Sequence, residues 1–272
     1  MPELPEVEIW RRRIWPTLSA ATVTDVRGSP GPPLAPGLSI SNLRGALIGR
    51  ECVRVDRRGK RLALRFTETE RALVIQLGMT GRFHVESSHG PEVRFERLRL
   101  ELSHGAALVY ADARRIGRLS WVAHGEAFQA LGPDALATEP DEWSKRFTES
   151  RSPIKVALLD QERIAGVGNI YACEGLHAAG IHPQRPARTL TPAEWTHLAL
   201  AIQASMQQTL SRDGEGSLLY LSANETKVNP FVVYGRAGEP CPTCAVTICR
   251  DILGGRGTFF CPACQPEAAA VA

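Results

Sequence analysis

Residues 241–264 read "CPTCAVTICRDILGGRGTFFCPAC", two Cys-x-x-Cys pairs, Cys241/Cys244 and Cys261/Cys264, with 16 residues between them. Each pair can hold one side of a tetrahedral ion, and a hairpin-sized spacer lets the two pairs converge. The spacing predicts a zinc ribbon closed by four thiolates, so the metal is structural, with no position open to water. A redox pair is the competing reading. Two pairs in tandem, with no strand–helix–strand pattern around them, argue against it. Cys249 lies between the pairs but outside a site already closed, and Cys52 and Cys173 read as buried thiols.

Upstream of the ribbon the chain is helical in character. "SPIKVALLDQ" (152–161), "NIYACEGLHAAG" (169–180) and "TPAEWTHLALAIQASMQQTL" (191–210) carry helical spacing, with start signals at Ser152, Asn169 and Thr191. "GVGNIYACEGL" from Gly166 begins like a dinucleotide fingerprint. It follows a helical stretch instead of a strand, and Tyr171 occupies the third glycine position, so a Rossmann reading fails. What remains is a glycine-bordered turn that opens a helix at Asn169, where free N–H groups could hold a phosphate; the same residues also make an ordinary tight helix connection. His177 and His182 have no metal-ligand spacing and read as structural. From Gly214 to Val233 no period is evident.

The N-terminal half differs. "EVEIWRRRIWPTL" (6–18) spaces its apolar residues as a helix, which Pro16 should end. From Thr22 to Val122, "TVTDV", "CVRVD", "RLALRF", "ALVIQL", "RLRLEL", "ALVYA" and "RLSWV" alternate or run apolar between Gly and charged turns. The reading is an α+β multidomain chain: a helix-led β-sandwich over 1–130, a helical domain over 131–230 and a zinc ribbon over 231–272.

A chain of 272 residues suffices for more than one core. No stretch approaches the ~18 apolar residues of a membrane span, and the charged, proline-bearing start lacks a secretion signal's apolar segment; the reading is cytoplasmic. Residues 1–136 hold 20 Lys and Arg against 15 Asp and Glu, and Arg outnumbers Lys 28 to 4 in the whole chain. Guanidinium suits phosphate oxygens, although genomic composition produces the same bias and "RRR" at 11–13 reads as a solvated helix face.

Six blocks in order, "MPELPEVE" (1–8), "RRGK" (57–60), "QLGMTGRF" (76–83), "DARRIGR" (112–118), "GVGNIYACE" (166–174) and "VYGRAGEPCPTC" (233–244), resemble formamidopyrimidine-DNA glycosylase, a family of bacterial base-excision repair enzymes. The resemblance spans nearly the whole chain. It implies a helix-two-turn-helix element in the helical domain and a bifunctional DNA glycosylase and AP lyase that excises oxidised purines. Removal of Met1 would leave Pro2 with a secondary amine, whose adduct with the sugar C1′ is an iminium electron sink. A terminal amine has a pKa near ~8, so an appreciable neutral fraction exists at physiological pH.

By the same resemblance Pro2 is the nucleophile, Glu3 moves protons and Lys60 assists near the 3′ phosphate. Met79 and Arg114 fill the gap left by the flipped nucleotide. Lys155, Asn169 and Arg256 hold phosphates. The implied partner is damaged double-stranded DNA, bound by a nucleoid-associated monomer with one structural zinc and no organic cofactor.

Three positions depart from the family pattern. Ile116 stands where a phenylalanine wedge is usual. Arg97, in "VRFERL", replaces a histidine expected to contact phosphate. The stretch 214–233 is shorter than the family's base-covering loop. Two rival readings follow, an endonuclease VIII-like enzyme acting on oxidised pyrimidines and a non-catalytic damage-binding protein. Leu4, where endonuclease VIII usually has glycine, argues against the first; Pro2, Glu3 and Lys60 argue against the second.

Overall fold

Helix α1 (Leu4–Leu18) begins at the third residue after Met1. Glu3 is its N-cap, the Glu3 N–H donates to Glu6 Oε2 at 2.8 Å, and Pro5 sits in the first turn, where a missing N–H costs nothing. The helix does not stop at Pro16 as its sequence predicts. Pro16 lies in the last turn, so only one late hydrogen bond is lost, and the end comes at Ser19, whose N–H donates to Trp15 O at 2.8 Å. Continuing through the proline keeps Leu18 in the core.

The computed structural model describes residues 2–29, 34–212 and 229–267, and the chain divides into two units, Met1–Gln129 and Ala130–Ala272. In the first, α1 is followed by β1 (Val23–Arg27), α2 (Ile40–Leu47), β2 (Cys52–Arg58), β3 (Arg61–Phe66), β4 (Arg71–Gln76), β5 (Gly81–Ser87), β6 (Glu96–Leu102), β7 (Ala106–Asp112) and β8 (Arg118–Ala123). They form two antiparallel four-stranded sheets, ordered β1-β6-β7-β5 and β2-β3-β4-β8. Leu62, Leu64 and Ile75 from one sheet meet Leu98, Leu100 and Leu108 from the other, and Val7, Ile14 and Leu18 of α1 join the same core. This is a β-sandwich led by a helix.

Two elements escaped the hydrophobic pattern. Helix α2 has only Leu43 and Leu47 buried, but its N-cap is clear, with Asn42 N–H donating to Ser39 Oγ at 3.0 Å. Strand β5 buries only Gly81 and Phe83, and full pairing with β7 holds it in place.

The second unit contains α3 (Ser144–Phe147), α4 (Ile154–Ala157), α5 (Asn169–Ala178), α6 (Pro192–Ser211), β9 (Cys249–Leu253) and β10 (Arg256–Phe260). The helix predicted from Ser152 amounts to one turn, α4, because the chain tightens into i→i−3 bonds, Leu159 N–H to Val156 O and Asp160 N–H to Ala157 O. Helix α6 begins as its sequence predicts. Thr191 caps it in a capping box, Glu194 N–H donating to Thr191 Oγ1 at 3.3 Å and Thr191 N–H to Glu194 Oε2 at 2.8 Å. Strands β9 and β10 form a hairpin closed by Gly254 and Gly255, whose φ values of 57° and 71° suit a primed two-residue turn. Most of the 214–233 stretch lies outside the described residues. Among those described, no helix is long and apolar enough to cross a membrane.

Candidate active site and nucleic-acid interface

The start of α1 is held firmly. Pro2 and Glu3 are buried, Glu3 to 1% exposure, and Val7 N–H donates to Glu3 O at 3.1 Å. In the second turn of the helix, Glu8 accepts from Arg11 Nη2 at 2.8 Å, Arg12 Nε at 3.0 Å and Arg57 Nε at 3.0 Å. Burial pushes the Glu8 carboxyl up, but its bonds to Arg11 and Arg57 outweigh that and hold the pKa at about 2. Arg57 Nη1 also donates to Gly59 O at 3.2 Å. Gly59 and Lys60 form the two-residue turn between β2 and β3, so one guanidinium ties α1 to the turn bearing Lys60.

Asp112 organises a second feature of this unit. Its carboxylate accepts from Thr80 Oγ1, from Arg114 N–H at 3.2 Å and from Gly117 N–H at 2.8 Å. These bonds hold a loop in which Arg115 has a φ of 53°, strained for a residue with a side chain. Gly117 permits the close approach, since a Cβ there would sit 2.0 Å from the Tyr110 hydroxyl. Met79, Arg114 and Ile116 are all exposed, with Arg114 Nη1 at 3.4 Å from Met79 Sδ. Arg97 differs from expectation. It is 6% exposed and its Nε donates to Asp112 O at 2.9 Å, so it braces the loop from inside instead of displaying a cation.

In the second unit the helix start and the hairpin are stitched together. Asn169 opens α5 and its Nδ2 donates to Gly257 O at 2.8 Å. Arg256, first residue after the hairpin turn, is exposed. Lys155, expected to reach a phosphate, is fully buried and its Nζ is 3.5 Å from Leu253 O, a position that supports the hairpin tip. Glu174 of α5 accepts the N–H groups of Val232, Val233 and Tyr234 at 2.7, 2.9 and 2.9 Å. It binds the segment leading into the ribbon.

The four predicted cysteines come together, every pair of Sγ atoms lying within 4.8 Å. Cys241–Cys264 and Cys244–Cys261 are 3.9 and 3.4 Å apart, close to the about 3.8 Å that a tetrahedral zinc with ~2.3 Å bonds to sulfur requires. Burial raises the Cys241 pKa, but N–H groups of Thr243 and Cys244 and the His177 ring bring it to about 5, whereas the Cys244 sulfur pushes Cys264 up to about 12. His177 Nε2 lies 3.5 Å from Cys241 Sγ, and Gln265 Oε1 accepts the Cys261 N–H at 3.0 Å. Cys249 is exposed outside the cluster, while burial lifts the Cys52 thiol to about 12 and leaves it inert.

Three family models match the chain in order: the formamidopyrimidine-DNA glycosylase N-terminal domain over residues 1–119, the formamidopyrimidine-DNA glycosylase H2TH domain over 131–220, and the zinc finger found in FPG and IleRS over 238–266. The formamidopyrimidine-DNA glycosylase of Chloroflexus aurantiacus is 37% identical, covering 97% of this chain and 98% of that one. The Caulobacter vibrioides enzyme of the same name is 35% identical over 97% of this chain and 100% of its own.

The chain belongs to the formamidopyrimidine-DNA glycosylase family.

Its fold is that of the family's solved members. The Lactococcus lactis enzyme in complex with DNA containing an abasic site superposes with a TM-score of 0.87 at 27% identity, covering 98% of this chain and 100% of that one. MutM bound to DNA carrying carbocyclic 8-oxo-G gives 0.85 at 28% identity, with the same coverage. In this glycosylase-family chain the tail is a zinc finger whose four cysteines are positioned to bind one metal ion. The sequence gives no role to Glu8, Arg57, Asp112 or Glu174, and it reads His177 as structural only. Each acts on a partner remote in sequence or through backbone groups, and the hint in the sequence is that Glu8, Arg57, Asp112 and Glu174 fall inside the "MPELPEVE", "RRGK", "DARRIGR" and "GVGNIYACE" blocks.

Proposed function

We propose that this chain is a bifunctional DNA glycosylase and AP lyase that excises oxidised purines, formamidopyrimidines and 8-oxoguanine, from double-stranded DNA in base-excision repair. The observation that carries the reading is the ordered, buried Pro2–Glu3 pair at the start of α1, linked through Glu8 and Arg57 to the turn bearing Lys60. The relatives' names and the DNA bound in their solved structures support it.

With Met1 removed, the Pro2 nitrogen attacks C1′ as the glycosidic bond breaks and its electron pair leaves with the base. Glu3 gives a proton to O4′ as the sugar ring opens to an iminium. Loss of a C2′ proton then expels the 3′ phosphate, with Lys60 beside it, and a second elimination releases the 5′ phosphate. Met79 and Arg114 occupy the gap left by the flipped nucleotide, while Asn169 and Arg256 hold phosphates. Lys155 supports the hairpin carrying Arg256. Zinc stabilises the hairpin and takes no chemical part.

The test is borohydride trapping, with single-turnover cleavage, on duplexes carrying a formamidopyrimidine, 8-oxoguanine, an oxidised pyrimidine or an abasic site, each opposite every base. Loss of Met1 is checked by mass. We expect a covalent adduct at Pro2 and efficient cutting at formamidopyrimidines. Ile116, smaller than an aromatic wedge, should blunt dependence on the opposite base, and the short 214–233 stretch should make 8-oxoguanine the poorer substrate. Binding without trapping would establish a damage-binding protein, and a pyrimidine preference would establish an endonuclease VIII-like enzyme.

A further inference from the structure

The turn leading into β6 holds an aromatic residue where the backbone favours glycine. Glu96 N–H donates to Val93 O at 2.9 Å, closing a four-residue turn with Arg94 and Phe95 at its centre. Phe95 has a φ of 65° at the second central position, which a turn of this kind reserves for glycine or asparagine. A bulky side chain there is an outlier. Core packing does not explain it, because Phe95 is 42% exposed. The Arg94 guanidinium lies over the ring at 4.6 Å from its centroid. The result is a cation-backed aromatic plate facing solvent, held in a strained conformation.

Its position is fixed by Asp112. Phe95 O accepts the Asp112 N–H at 3.0 Å, and the Asp112 carboxylate in turn holds Arg114 N–H. The registers pair Gly81 with Asp112 and Glu96 with Ala111. Phe95, Met79, Arg114 and Ile116 therefore leave the sheet at the same end. Met79 and Ile116 are 46% and 47% exposed, yet neither has a π face. Phe95 supplies the one that this end of the sheet otherwise lacks among these residues.

We propose that Phe95 is a DNA-stacking residue, its ring taking a base made accessible when the damaged nucleotide leaves the duplex, with Arg94 behind the ring providing charge for the neighbouring backbone. A base offers a π face whatever its identity, and base–aromatic stacking adds affinity without sequence choice. Strain at an exposed residue is retained where it serves a site. This inference rests on the glycosylase reading above.

The experiment compares the full-length wild type with Phe95→Gly, Phe95→Leu and Phe95→Trp on a lesion duplex carrying 2-aminopurine in turn opposite the lesion and in each flanking position. Phe95→Gly should melt no lower than the wild type, since glycine suits a φ of 65°, while its affinity for the lesion duplex falls about ten-fold and 2-aminopurine quenching is lost. Phe95→Leu, which keeps bulk without a π face, should lose the same affinity, and Phe95→Trp should retain it. Wild-type affinity and quenching in Phe95→Leu or Phe95→Gly overturn the stacking role. If the wild type binds but does not trap, a Phe95-dependent affinity still supports stacking, and the lyase reading alone falls.

Discussion

Glu8 and Arg57 meet at 3.0 Å, and the same guanidinium reaches Gly59 O at 3.2 Å. Helix α1, which starts beside Pro2, is thereby coupled to the turn that carries Lys60. The Glu8 pKa of about 2 lies below its ordinary 4.5, held down by Arg11 and then Arg57, so this cluster contributes stability that is present above about pH 4.5 and lost as pH falls through about 2. The shift corresponds to ~3 kcal/mol at neutral pH. Glu8→Gln should cost about that much in urea unfolding at pH ~7 and progressively less below pH ~4.5. A cost independent of pH would show that packing, not charge, is at stake.

Glu174 accepts three backbone N–H groups, from Val233, which is buried, Tyr234, which is half-buried, and Val232, which is exposed. Glu174→Ala should destabilise the second unit by about 2–6 kcal/mol, because the two donors that are not exposed, Val233 and Tyr234 N–H, each cost about 1–3 kcal/mol when stranded. Glu174→Gln, which keeps one carbonyl oxygen, should cost less. Equal unfolding midpoints for wild type and Glu174→Ala would contradict the bonding described.

His177 within 3.5 Å of Cys241 Sγ implies a supporting role around the metal. Cys261→Ser should release zinc, whereas His177→Ala should retain it with an affinity weakened about 10- to 100-fold. Competition with a chromogenic chelator measures both. Wild-type affinity in His177→Ala would reduce the contact to simple packing.

Arg256 stands at the exposed hairpin tip while Lys155 and Asn169 bond carbonyls of the same hairpin. Arg256→Ala should keep stoichiometric zinc, lower DNA affinity for every sequence alike, and reduce the salt-dependence slope by about 0.9, the loss of one phosphate contact. Lys155→Met should instead lower the thermal stability of the hairpin before it changes that slope. The reverse pattern would make Lys155 the phosphate ligand.

Some of this molecule is written in short windows of sequence. The Cys-x-x-Cys pairs specify a chelate because two thiolates separated by two residues reach one ion, and the structure brings all four Sγ atoms within 4.8 Å. Thr191 and Glu194 form their capping box within one turn of α6. Seven of the eight sandwich strands were visible in alternation or apolar runs. Signals of this kind act over a few residues, so the order of the residues is enough.

Tertiary structure decided the rest. Strand β5 shows a weak pattern and depends on pairing with β7, 25 residues further along from Gly81 to Ala106. Arg97 and Lys155, cations that the family resemblance assigns to phosphate, are buried, with Arg97 Nε donating to Asp112 O and Lys155 Nζ 3.5 Å from Leu253 O. The strained Phe95 looks like any apolar residue in "VRFERL", and only the backbone turn leaves its ring in solvent. A charged or aromatic side chain carries no mark of whether it will meet water, a carbonyl or DNA. That choice depends on which distant segments supply partners, since burying a polar group without one costs more than local preference can offset.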